Sequence, residues 1–98
     1  MRTEEQVEEE IEPLVPDFLN NLTRDLKKNH TLLETNSFHD LARFGHKIKG
    51  IARPYGFPTL EDLARAFEQA CLAQEKSKAH QLYDEMTNYV SKYSQIDH

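Results

Sequence analysis

The chain has 98 residues, of which 38% are hydrophobic and 30% are charged, and its net charge at pH 7 is −5. This length supports one core, so we expect a single soluble, helix-rich domain over residues 1–98. No apolar run approaches the roughly 18 residues that a membrane span needs, and the acidic start is unlike a signal peptide. The lone Cys71 excludes an internal disulfide bond, which favours a reducing, cytoplasmic location.

The negative charge is concentrated at the start of the chain. Residues 1–17 hold seven acidic side chains against Arg2, so the remaining residues carry +1. This balance gives no indication of nucleic-acid binding. Thr3 and Gln6 have the spacing of a capping box, which predicts a short acidic helix that Pro13 ends or kinks.

Four longer amphipathic helices are predicted after this segment. The first has Pro16 in its first turn, and hydroxyl and acidic residues three positions apart predict helix starts at Ser37 and Thr59. Pro54 predicts that the second of these helices kinks or stops near Arg53. Short loops and lengths of roughly 15–18 residues predict an all-α fold, an antiparallel up-and-down four-helix bundle with a short extra N-terminal helix. The apolar stripes of the first, third and fourth bundle helices contain Val15, Phe18, Leu19, Leu22, Leu26, Leu33, Leu60, Leu63, Phe67, Ala70, Cys71, Ala79, Leu82, Tyr83, Met86, Tyr89, Val90 and Tyr93.

His46 is predicted to lie on the outer face of the second bundle helix. At about 100° per residue its ring points away from the apolar stripe of that helix. Ala42 and Gly50 lie four residues before and after His46, and their small size leaves the space beside its ring open. Arg43 and Lys49 share its outward face. The neighbouring helical positions hold no carboxylate that could orient the ring as a base, so we expect it to accept an anionic group. The apolar stripe opposite His46 consists of Leu41, Phe44, Ile48, Ile51 and Tyr55.

A longer run around His46 has a recognisable spacing. The segment HKIKGIARPYGFPTLEDLARAFE, residues 46–68, places an aliphatic residue two positions, a lysine three positions and a glycine four positions after the histidine. These are Ile48, Lys49 and Gly50. The run resembles the signature of histidine phosphotransfer domains, although Ile51 stands where that family often has a small polar residue. The resemblance extends to Ala52, Tyr55, Gly56, Leu60, Ala64, Phe67 and Glu68.

The resemblance implies a four-helix-bundle phosphocarrier of a two-component phosphorelay. His46 would accept a phosphoryl group from aspartyl-phosphate receiver domains and return it to them. Lys49 would neutralise the phosphoryl oxygens with some help from Arg43, and Gly50 would leave room for the group and for the partner. The implied partners are response-regulator receiver domains and hybrid sensor histidine kinases. No cofactor is expected on this chain, because the Mg²⁺ would belong to the receiver, and no autonomous kinase or hydrolase activity is expected.

Several other interpretations remain open at this stage. The bundle could be an interaction module that docks receivers or other signalling partners without carrying phosphate, or His46 could lie on an ordinary solvated helix face. A metal site shared with His39 is disfavoured, because the two residues are roughly 10 Å apart along a helix. Cys71 has the position of a small core residue rather than of a reactive thiol.

Overall fold

The computed structural model describes residues 15–96 of the chain, with side chains described as far as Tyr93. Within these residues it contains four α-helices and no strand. The predicted acidic helix, with Thr3, Gln6 and Pro13, lies outside the described residues. The helices are α1 (Val15–Glu34), α2 (Phe38–Ala52), α3 (Pro58–Leu72) and α4 (Lys76–Ile96).

One hydrophobic core lies between the four helices. α1 packs against α2 and α4, and α3 packs against the same two helices, so the described part of the chain forms a four-helix bundle. The predicted stripes supply this core, and five of their residues are only partly buried at its edge: Ile51, Tyr55, Leu63, Leu82 and Tyr89. The antiparallel up-and-down arrangement stays a prediction. None of the described helices is long and apolar enough to cross a membrane.

The helix starts differ in detail from the capping boxes predicted for them. Pro16 lies in the first turn of α1, as expected. Ser37 is the N-cap of α2, but its side chain makes no capping hydrogen bond, and its hydroxyl lies 2.7 Å from that of Thr35. The predicted start of α3 at Thr59 is wrong, because α3 begins at Pro58. Proline suits this first position because its fixed φ is already helical and its missing N–H has no helical partner.

The turn after α2 explains why this helix stops. The backbone N–H groups of Gly56 and Phe57 donate to the carbonyls of Arg53 and Ala52, respectively, which is the Schellman pattern. This pattern needs a left-handed residue, and Gly56 has a φ of 87°. The prediction that α2 stops near Arg53 is therefore confirmed. Because the turn is short, α3 begins directly beside the end of α2.

The most extensive contact among the four described helices is between α2 and α3. A Cβ atom built on Gly45 would lie 2.9 Å from Cδ2 of Phe67 and 3.4 Å from the backbone oxygen of Ala64. Gly45 therefore lets α2 and α3 approach more closely than any residue with a larger side chain would. This contact brings the outer edge of α3 within side-chain reach of His46.

Candidate functional site

His46 lies near the middle of α2 with its ring in solvent. Its side chain is 68% exposed, whereas Leu41 and Ile48 on the opposite side of the helix are buried. The exposure predicted from helical phase is confirmed.

A carboxylate from α3 contacts the imidazole. Oε2 of Glu68 lies 3.1 Å from Nδ1 of His46, and Oε1 of Glu68 accepts a hydrogen bond of 2.9 Å from Nζ of Lys49. The expectation that no carboxylate orients His46 is therefore wrong, because the carboxylate comes from the neighbouring helix and not from α2. The sequence signal for it is the position of Glu68 at the end of the run of residues 46–68.

The ionisation of Glu68 decides which ring nitrogen of His46 is free. The hydrogen bond from Lys49 holds the pKa of Glu68 below its usual value of 4.5, and the charge of Lys49 and the contact with His46 act in the same direction, against burial. An ionised carboxylate can only accept a hydrogen bond, so its bond to His46 requires the proton to be on Nδ1. In the neutral ring, Nε2 then carries the free lone pair.

The other residues predicted around His46 lie at different depths. Lys49 is half-buried, with 28% of its side chain exposed, because it leans towards Glu68. Gly50 is open, since a Cβ atom there would meet nothing within 4 Å. Arg43 is exposed. Ala42, the small residue on the other flank, is 5% exposed and belongs to the hydrophobic core.

The comparison with protein families agrees with this arrangement. The model of the Hpt domain matches residues 13–96, which is nearly the whole chain. The chain belongs to the Hpt domain family. Hpt domains are helical bundles that carry phosphoryl groups in two-component signalling and interact with receiver domains and histidine kinases. Comparisons with curated proteins and with solved structures gave no match.

Two further cations of this Hpt domain lie near His46 but make their own ion pairs. Lys47 is 64% exposed, and its Nζ lies 3.9 Å from a carboxylate oxygen of Asp25 on α1. Arg53 lies just beyond the end of α2, where its Nε donates to Glu61 at 2.8 Å. Arg53 thus contacts α3, as His46 and Lys49 do, but seven residues further along the chain than His46.

Two other histidines and the cysteine of this Hpt domain pack against the bundle. His30 is exposed, and its ring lies edge-on to Tyr83 at 5.9 Å. His80 lies near the start of α4, where it is half-buried and its Nε2 is buried. Cys71 is buried in the core as predicted, and burial raises the pKa of its thiol to about 11. The described residues contain no cluster of three or more potential metal ligands.

Proposed function

We propose that this Hpt domain carries a phosphoryl group on Nε2 of His46, between aspartyl-phosphate receiver domains of a phosphorelay. The observation that carries the proposal is the hydrogen bond between His46 and Glu68. It holds the proton on Nδ1 and leaves the lone pair of Nε2 in solvent, on a ring that is 68% exposed. A nucleophile with this orientation is accessible to a partner without any rearrangement of the bundle.

The transfer step balances without a separate base. The Nε2 lone pair attacks phosphorus while the bond between phosphorus and the receiver's aspartate oxygen breaks, and the aspartate leaves as a carboxylate. The phosphorylated ring retains its proton on Nδ1 and gains a positive charge, which the carboxylate of Glu68 stabilises at 3.1 Å. The reverse step returns the phosphoryl group and restores the neutral ring. Glu68 is therefore a positioning residue that also compensates the charge of the intermediate.

Lys49, Gly50 and Arg43 fit supporting roles in the same step. Phosphoryl transfer depends on positioning and on neutralising the phosphoryl oxygens. Lys49 lies one helical turn from His46, so its ammonium group can bridge Glu68 and a phosphoryl oxygen. The open surface at Gly50 leaves space for the phosphoryl group and for the loops of a receiver. Arg43, exposed three residues before His46, adds positive charge to the approach.

The proposed partners are response-regulator receiver domains and hybrid sensor histidine kinases. We expect the chain to act as a carrier without kinase or hydrolase activity of its own and without a cofactor, since the Mg²⁺ belongs to the receiver. A docking module that never carries phosphate would not need the carboxylate of Glu68 to hold the exposed His46 in one tautomer. The Glu68 contact favours the carrier.

The test is transfer from a receiver that carries a radiolabelled aspartyl phosphate. The wild-type chain should acquire a label that is labile in acid and stable in alkali, as a phosphoramidate is. His46→Gln should acquire no label. Its free energy of unfolding should stay within about 0.5 kcal/mol of that of the wild type, because the side chain is at the surface. His39→Gln is the matched control, since His39 is also an exposed histidine of α2, and it should accept normally. Labelling of the His46→Gln chain, or an acid-stable label, would remove His46 as the acceptor.

A further inference from the structure

Two adjacent residues of α2 contact two adjacent residues of α3 at the proposed phosphoacceptor. Gly45 packs against Phe67, and the next residue on each helix makes the polar contact, since Nδ1 of His46 lies 3.1 Å from Oε2 of Glu68. Gly45 and Phe67 are buried, whereas the ring of His46 is in solvent. The buried contact and the polar contact are therefore the inner and outer parts of one junction between α2 and α3.

Gly45 has no free space on the side that faces α3. A Cβ atom built there would lie 2.9 Å from Cδ2 of Phe67, and 3.4 Å from both the backbone oxygen of Ala64 and the backbone nitrogen of Glu68. Carbon atoms pack best at about 3.5–4.0 Å, so a methyl group at Gly45 needs about 0.6 Å of additional room. One of its three neighbours belongs to Glu68, so the same methyl group would press on the residue that contacts His46.

The side chain of Phe67 cannot supply this room by turning aside. It is fully buried, and its ring lies edge-on to that of Tyr83 on α4, with the ring centroids 5.6 Å apart. Tyr83 is buried as well, and its hydroxyl donates to the backbone oxygen of Leu26 on α1. Ala64 and Glu68 present backbone atoms to Gly45, and these atoms move only with their helix. The room therefore has to come from a displacement of α3 away from α2.

The hydrogen bond between His46 and Glu68 has little tolerance for such a displacement. At 3.1 Å it is close to the upper limit of about 3.2 Å for this kind of bond, and a separation near 3.6 Å is no longer a hydrogen bond. Nζ of Lys49 holds the other oxygen of the same carboxylate at 2.9 Å in a charge-assisted bond. The flexible stem of Lys49 can follow the carboxylate, whereas the imidazole is a rigid ring close to its backbone. The carboxylate would therefore keep Lys49 and lose His46.

We propose that Gly45 is a positioning residue for phosphoryl transfer, because it lets α3 approach α2 closely enough for Glu68 to hold Nδ1 of His46. Its effect on transfer rests on the proposed function of His46, whereas its effect on the ring does not. Without the contact, the neutral ring can place its proton on either nitrogen, and a ring protonated on Nε2 cannot attack phosphorus. The phosphorylated ring also loses the carboxylate that compensates its positive charge.

Gly45→Ala tests this role with two measurements. Long-range ¹H–¹⁵N spectra of the His46 ring show which nitrogen carries the proton, and the transfer rate is measured from a receiver that carries an aspartyl phosphate. We expect the variant to populate the form protonated on Nε2 and to accept phosphate about tenfold more slowly, which is the effect of one lost hydrogen bond to a charged group. A ring that keeps its proton on Nδ1, or a wild-type transfer rate, would overturn the proposal.

Val90→Ala is the matched control for a general loss of stability. Val90 is buried on α4, so its truncation lowers the melting temperature without adding an atom between α2 and α3. It should keep both the proton on Nδ1 of His46 and the wild-type transfer rate. A change of tautomer as large as that of Gly45→Ala would mean that the ring responds to any loosening of the bundle, and the specific role of Gly45 would be refuted.

Phe67→Leu supplies a rescue, and it keeps the test informative if Gly45→Ala alone does not fold. Leucine has no ring and leaves room for a methyl group, so Gly45→Ala in the Phe67→Leu background should hold the proton on Nδ1 of His46. Gly45→Val in the same background is larger and should release it again. A tautomer that does not depend on the size of the side chain at position 45 would overturn the proposal.

The two measurements also separate this proposal from the proposed function. The spectra need no phosphorylation, so they decide the effect of Gly45 on the ring by themselves. If the wild-type chain acquires no label from the receiver, the proposed function of His46 fails. If the wild-type chain is labelled and Gly45→Ala is labelled at the same rate, only the positioning role of Gly45 fails.

Discussion

Replacement of Glu68 by glutamine isolates the one contact that sequence reasoning did not place beside His46. The substitution keeps the shape of the side chain but removes its charge. A glutamine amide can accept from His46 through its oxygen or donate to it through its nitrogen, so the ring is no longer held in one tautomer. Lys49 loses its charged partner at the same time.

The size of the effect follows from the strength of the two kinds of hydrogen bond. A bond to a charged group contributes about 1.5–3 kcal/mol and a neutral one about 0.5–1.5 kcal/mol. A loss of roughly 1.4 kcal/mol in stabilising the positive charge that develops on the ring in the transition state corresponds to about a tenfold slower transfer. The free energy of unfolding should fall by only about 1 kcal/mol or less, because His46 and Lys49 are both partly exposed and such pairs are weak.

Two measurements on Glu68→Gln check this reasoning. The first is the transfer rate from a phosphorylated receiver, and the second is the histidine tautomer from long-range ¹H–¹⁵N spectra of the ring. Glu61→Gln is the matched control, since it makes the same change on the same helix but removes a carboxylate from Arg53 and Arg65. It should transfer at the wild-type rate. If Glu68→Gln transfers as fast as Glu61→Gln and keeps the proton of His46 on Nδ1, then Glu68 does not orient the ring.

The difference in unfolding free energy between the wild type and Glu68→Gln should depend on pH, and its direction can be stated. The pKa of Glu68 is lowered by folding, chiefly by the hydrogen bond from Lys49. Its charged form therefore contributes stability above the usual pKa of 4.5, and this contribution is lost as the pH falls through the lower pKa of the folded chain. The difference in unfolding free energy between wild type and Glu68→Gln should narrow below pH 4.5. A difference that widens in acid would contradict the assigned direction.

The remaining predictions concern two glycines, a lysine and a cysteine. Gly45→Ala should destabilise the chain by about 1–3 kcal/mol, because its Cβ would lie 2.9 Å from the buried ring of Phe67, whereas Gly50→Ala should stabilise it by up to about 1 kcal/mol in the same melting assay. Gly50→Gln should melt at or above the wild-type temperature yet accept phosphate slowly, and a wild-type transfer rate would show that the open surface has no role. Lys49→Ala should fold but slow transfer in both directions, as measured with a receiver. Cys71 should react with a thiol reagent only as fast as the chain unfolds, because it is buried and its pKa is raised to about 11.

Local sequence was sufficient for much of the fold and for the acceptor candidate. Helical periodicity depends only on neighbouring residues, so the stripe with Leu41 and Ile48 and the outward direction of His46 follow from α2 alone. The end of α2 was predictable for the same reason, because Pro54 acts on the backbone of its own helix. The family resemblance of the run after His46 likewise needs no three-dimensional information.

Only the tertiary structure decided what surrounds the imidazole. Glu68 lies 22 residues after His46, and whether it reaches Nδ1 depends on the separation, rotation and axial offset of α2 and α3. That separation is set by the packing of Gly45 against Phe67, a contact that no periodicity within either helix specifies. The burial of Ala42 in the hydrophobic core likewise depends on the helices packed around α2. The sequence thus determined which way each side chain leaves its helix, and packing between helices determined which side chains meet.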